Sequence, residues 1–207
     1  LLDIASKTVT QKVPVPDPGC LDSRFTPPAP APQDSRPWAI NVQNGEVYVG
    51  VMCSAQTSQS YSDLHAYIMR LTGNSFVPVF NFAPTNPTLG WQPWTPTASV
   101  ASPVYSPILA DFQFDVSGSL IVDILSRTNL IGGAVATGTI VRYANVNGPL
   151  TSTSPIYYPF LYFGTSGHGN SSIGGTAFHP GFGQVVAASL PGDGGNSIVW
   201  YDASTGT

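Results

Sequence analysis

The sequence predicts an all-β protein, and three observations carry that prediction. A short hairpin pattern recurs three times: Ala39-Ile-Asn-Val-Gln-Asn-Gly45-Glu-Val-Tyr-Val-Gly50, Ala110-Asp-Phe-Gln-Phe-Asp-Val-Ser-Gly118-Ser-Leu-Ile-Val122 and Gly175-Thr-Ala-Phe-His-Pro-Gly-Phe-Gly183-Gln-Val-Val-Ala187. Each copy joins two apolar runs through a polar turn ending in Gly, the signature of a β-hairpin. The composition agrees: 21 Gly and 20 Pro among 207 residues mark many turns, and runs of helix formers are missing. A 42% hydrophobic and 11% aromatic content excludes a disordered chain, which would be poor in such residues.

Residues 11–37 are rich in proline (Val13-Pro-Val-Pro-Asp-Pro-Gly-Cys20, then Thr26-Pro-Pro-Ala-Pro-Ala-Pro-Gln33). Proline fixes φ and removes a donor, so this segment reads as an extended strap over the surface. Cys20 and Cys53 are the only cysteines. They are either a disulfide that pins the strap to a strand or two buried thiols, and the disulfide is the expectation. No Cys/His spacing suggests a metal.

Strands are expected at Trp38–Val42 and Glu46–Cys53, across the Asn44-Gly45 turn. His65–Leu71 and Phe76–Phe82 follow, joined at Thr72-Gly-Asn74. Residues 83–107 read as a long inserted loop, and loops of that length are functional or packed by their own side chains. Phe112–Phe114 and Ser119–Leu125 form the second hairpin, in whose turn Asp115 caps backbone N–H groups. Gly138–Ala144 is the next strand, 149–172 a second inserted loop, 175–189 the third hairpin and Ser197–Tyr201 the last strand. The hairpins recur about 70 residues apart, and removing the inserted loops leaves units near propeller-blade length. The organisation is therefore a strap over 1–35 and a β-repeat domain over 36–207, with about three blades at 36–82, 108–148 and 173–207. A twisted β-sandwich is the alternative architecture.

Phe114-Asp-Val-Ser-Gly-Ser-Leu-Ile-Val122 followed by Gly138-Thr-Ile-Val-Arg-Tyr143 resembles the blades of six-bladed propellers of the NHL and gluconolactonase group. More closely, the order resembles a propeller-like region of large bacterial cell-surface proteins that carry B-type repeats of the serine-aspartate adhesin kind. The matching stretches are Arg36-Pro-Trp-Ala-Ile40 with Gly45-Glu-Val-Tyr-Val-Gly-Val51, Ala110-Asp-Phe-Gln-Phe-Asp115 with Gly118-Ser-Leu-Ile-Val122, and Gly174-Gly-Thr-Ala177 with Gln184-Val-Val-Ala187. The resemblance covers 36–207. It implies a secreted, extracellular or cell-surface protein with an adhesive role and no catalytic residues in this region. The chain departs from the pattern by lacking the later repeats. Three blades are too few to close a ring, and open strand edges seek cover. That cover would come from other copies of the chain or from further segments of a parent protein, since both ends of the sequence read as excised from something longer.

Charged residues make up only 9% of the chain and the net charge is −4, so no basic stripe exists for nucleic acid. No apolar run reaches the length of a membrane span. Trp91, Trp94, Tyr157, Tyr158 and Tyr162, in the inserted loops, are candidates to stack on a glycan or anchor a partner, unless the loops bury them. Asp193-Gly-Gly-Asn196 offers oxygen ligands suited to calcium, although an ordinary turn explains it better, and no cofactor is assigned. Glu46 is the only glutamate, which makes the metal site of a propeller hydrolase hard to build. Ser166, His168 and Asp111 show no spacing that favours a nucleophilic triad, and no GxSxG elbow is present. His65 reads as structural and His179 as a turn residue. The primary expectation is a non-enzymatic structural or adhesive protein. A carbohydrate-binding module and a metal-dependent hydrolase are the alternatives.

Overall fold

The computed structural model describes residues 2–3, 5–20, 34–84, 90–95, 105–127, 138–144, 156–157, 162–163, 168–169, 171–179, 181–190 and 197–202. The chain is all-β, with antiparallel sheets, and among the described residues none of them closes into a barrel. The segment 1–35 expected as one extended strap opens on a small antiparallel pair, β1 (Leu2–Asp3) and β2 (Thr8–Val9), and only the part after it is strap-like. The first sheet is a meander of β3 (Ser35–Gln43), β4 (Glu46–Cys53), β5 (His65–Thr72) and β6 (Ser75–Phe82). The second runs β7 (Pro107–Phe114), β8 (Leu120–Ser126), β9 (Gly138–Tyr143) and β10 (Ile156–Tyr157). A short hairpin pairs β11 (Tyr162–Phe163) with β12 (His168–Gly169). The third sheet holds β13 (Ser171–His179), β14 (Gln184–Leu190) and β15 (Ser197–Asp202).

Local chemistry sets the hairpins. Asn44 and Gly45 have φ of 51° and 81°, the two left-handed positions of a type I′ turn, and Gln43 pairs with Glu46 around them. In the β7–β8 turn, Asp115 Oδ1 accepts the N–H groups of Ser117 (2.8 Å) and Ser119 (2.9 Å). Arg142, on β9, donates to Asp115 Oδ2 through Nε (3.0 Å) and Nη2 (2.8 Å). Burial alone would raise the Asp115 pKa. The Ser117 hydroxyl, the Arg142 guanidinium and the Ser119 N–H outweigh it, and the carboxyl sits below its ordinary range. Pro37 and Pro78 lie on β3 and β6, the edge strands of the first sheet, where a missing donor costs no ladder bond.

The second sheet is covered on both faces. Leu120, Val122 and Ile124 pack with Ala39, Met52, Ala66, Ile68 and Phe82 of the first sheet. Ile121 and Ile140 pack with Val185 and Tyr201 of the third. Every residue of β8 is therefore buried, which explains its unbroken apolar run around Asp123. Burial and the nearby Asp123 carboxylate raise the Tyr201 pKa. Gly50 lets the first two sheets approach closely, because a Cβ there would lie 2.6 Å from Leu109 Cδ2.

The chain's own strap covers the part of the other face of the first sheet that lies over β4 and the strands beyond it, and leaves Ile40 and Val42 of β3 exposed. Val13 and Val15 pack on a cluster of Val49, Val51, Met69 and Phe76, and a Cys20–Cys53 disulfide fixes the strap there. Residues 21–33 lie outside the described residues. Two expected boundaries are corrected. β7 begins at Pro107, inside the expected loop 83–107. The expected loop 149–172 carries β10, β11, β12 and the start of β13, because strands of two residues leave no periodicity to read.

Candidate interaction surface

The loop aromatics named as candidates for a glycan or partner contact split into two groups. Trp91 is 4% exposed and belongs to the core between the first two sheets. Trp94 is 8% exposed, its Nε1 donates to the Pro107 carbonyl at 2.9 Å, and the guanidinium groups of Arg36 and Arg127 lie over its ring at 5.2 Å and 4.8 Å from the centroid. Neither ring offers a face to a glycan. The backbone explains why: Gln92 N–H bonds the Tyr105 carbonyl and Trp94 N–H bonds the Ser54 carbonyl, so the segment folds back onto the sheets. Tyr157 is in β10 and Tyr162 in β11, where only the backbone is described. Tyr158, Asp193, Asn196 and Ser166 lie outside the described residues.

Glu46, His65 and Asp111 are each engaged in hydrogen bonds within the fold. Glu46 accepts from Tyr48 Oη (2.8 Å) and pairs with Arg70 (3.3 Å). His65 Nε2 lies 2.8 Å from the Ser62 carbonyl, which fixes that nitrogen as the donor. Asp111 Oδ2 accepts the Thr176 N–H (2.8 Å) and hydroxyl (3.2 Å), tying the second sheet to the third. Among the described residues no group of three or more His, Cys, Asp or Glu could hold a metal. No helix among them is long and apolar enough to cross a membrane.

What the fold does present is apolar surface at the two ends of its stack of sheets. On β3, Ala39 faces the core and Asn41 donates into β7, so the alternating residues Ile40 (68% exposed) and Val42 (62%) point the other way. Trp38, at the bulge between the Pro37 and Ala39 pairings, is 55% exposed beside them. The strap covers Val49 and Val51 on β4 but leaves this margin of β3 open. At the far end, Thr176, Val185 and Tyr201 are buried, while Ala177, His179 and Trp200 are exposed on the opposite face of the third sheet. There His179 lies 4.7 Å from the Phe182 ring and 6.3 Å from the Trp200 ring. His179 is the last residue of β13 and, as expected, opens the turn, its carbonyl accepting the Phe182 N–H at 3.2 Å; its ring is also the centre of an aromatic group.

The inner edges of the three sheets are linked in series. β3 packs on β7, and β7 on β13. A carboxamide bridges each step: Asn41 Nδ2 donates to the Phe112 carbonyl (2.8 Å) and Gln113 Nε2 to the Thr176 carbonyl (3.3 Å). Strand alternation in the sequence placed Ile40 and Val42 on one face. It could not say that this face lacks a neighbour, since covering is decided by distant segments.

No protein-family model, curated protein or solved structure matches the chain.

Proposed function

We propose that this chain is a non-enzymatic β protein of propeller-like blades, and that it serves as a structural or adhesive component of an extracellular assembly. The observation that carries the reading is the pair of open apolar ends on a stack of antiparallel meanders. An isolated monomer rarely leaves a sheet face and an edge strand uncovered together. The meander order and the side-by-side inner strands β3, β7 and β13 support blades. The Cys20–Cys53 disulfide supports an oxidising compartment. A surface with few charges supports packing against neighbours rather than life as a dispersed monomer. The sequence resemblance to cell-surface proteins points the same way.

Light scattering coupled to size exclusion, with electron microscopy of the peak fractions, tests this reading. Particles larger than one chain, growing with concentration, are expected. A compact monomer at every concentration would overturn it.

A further inference from the structure

We propose that a second copy of this chain docks head to tail, seating the His179, Phe182 and Trp200 face of one copy against the Trp38, Ile40 and Val42 margin of the next. This rests on the assembly reading and names its partner and its contact.

The docked pair continues a strand-to-strand contact the molecule already makes twice. Along the stack, one inner strand lies against the next, and a carboxamide on the first reaches a carbonyl on the second: Asn41 to Phe112, then Gln113 to Thr176. The series stops at both ends on apolar side chains. At β3 the exposed residues are Trp38, Ile40 and Val42, and at the third sheet they are Phe182 (73% exposed) and Trp200. Both surfaces belong to the same chain, so one copy presents its third-sheet face and a second copy its β3 margin.

The strap does not bar the contact. It lies over β4 and the strands beyond, through Val13, Val15 and Cys20, and leaves the β3 margin clear. The margin lies on β3, the first strand of its sheet, and it is at their first strands β3, β7 and β13 that the three sheets already meet. Aromatic rings with one exposed face are the side chains that most often anchor such contacts. Because the two surfaces differ, the contact is heterologous, and it continues into a ring or an open filament according to the rotation per copy.

A complementation experiment decides the matter. Ile40→Glu spoils the β3 margin and keeps the Trp200 face. Trp200→Glu does the reverse. Both positions are solvent-exposed, so folding is retained, and circular dichroism checks it. Each variant alone is expected to self-associate at least about thirtyfold more weakly than the unaltered chain. Mixed together they are expected to form a one-to-one complex, since one intact margin then meets one intact face. Val42→Glu and Phe182→Glu provide a second pair if either first variant misfolds. If the single variants assemble as well as the unaltered chain, the contact is wrong while the assembly reading survives. A mixture that stays monomeric also overturns the contact. An unaltered chain that never associates removes both.

Discussion

Replacing Cys20 and Cys53 together by alanine is expected to lower stability by about 4 kcal/mol. The two residues are 33 apart in sequence, and closing a loop of that length in the unfolded chain costs about 12.5 cal/mol/K, or about 3.7 kcal/mol at room temperature. Both side chains are buried, at 4% and 1% exposure, so truncation adds a small packing loss. For a chain of this size each kcal/mol moves the melting temperature by about 2–4 °C, which gives a fall of about 7–15 °C. Without the bond, the Val13 and Val15 contacts and the Gln11 Nε2 donation to Asn74 Oδ1 (2.8 Å) are left to hold the strap, and Val49, Val51, Met69 and Phe76 become reachable by solvent. Urea unfolding of the oxidised, reduced and double-alanine proteins, with a hydrophobic dye as a second probe, measures both effects. Equal midpoints in all three would refute the claim that the crosslink holds the strap on the first sheet.

Asp115→Asn is expected to cost about 2–3 kcal/mol at neutral pH, because it removes a charge-assisted pair with Arg142 at a carboxylate that is 5% exposed. The folded Asp115 has a lowered pKa, so its contribution is complete above the ordinary carboxylate range and disappears as pH falls through the folded value. Acid titration of stability should therefore show a smaller loss in the Asn variant than in the unaltered chain. Gly50→Ala is expected to destabilise by about 1–3 kcal/mol, since the new Cβ meets the fully buried Leu109 at 2.6 Å. An unchanged denaturation midpoint would show that the first two sheets are not packed this closely. Trp94→Ala is expected to cost about 3–5 kcal/mol in the same assay, as a core truncation. A stable Trp94→Ala protein that had instead lost glycan binding would restore the carbohydrate reading.

The hairpins were legible because their signals are local. Asn44-Gly45 demands left-handed backbone at two successive positions, and Gly183 has a φ of 62° in the third turn. Asp115 reads as a cap because a short carboxylate reaches the N–H groups just ahead of it. The strand expected over Glu46–Cys53 is observed there. The Trp91 and Trp94 rings were harder to place. An aromatic in a long Pro-rich loop has the same sequence signature whether it faces solvent or returns to the core. Backbone bonds to Tyr105 and Ser54, residues far from it in sequence, turn this segment inward.

The amino-acid order alone settled the class and the repeated hairpins, because turn chemistry and alternation act over a few neighbouring residues. It also offered the only two cysteines for a bond. Only the packed molecule decided which faces have neighbours. The strap takes part of one side of the first sheet, the second sheet is enclosed by the other two, and Ile40, Val42, Phe182 and Trp200 are left in water. Burial is a property of the whole arrangement of sheets, so no window of sequence could have assigned it.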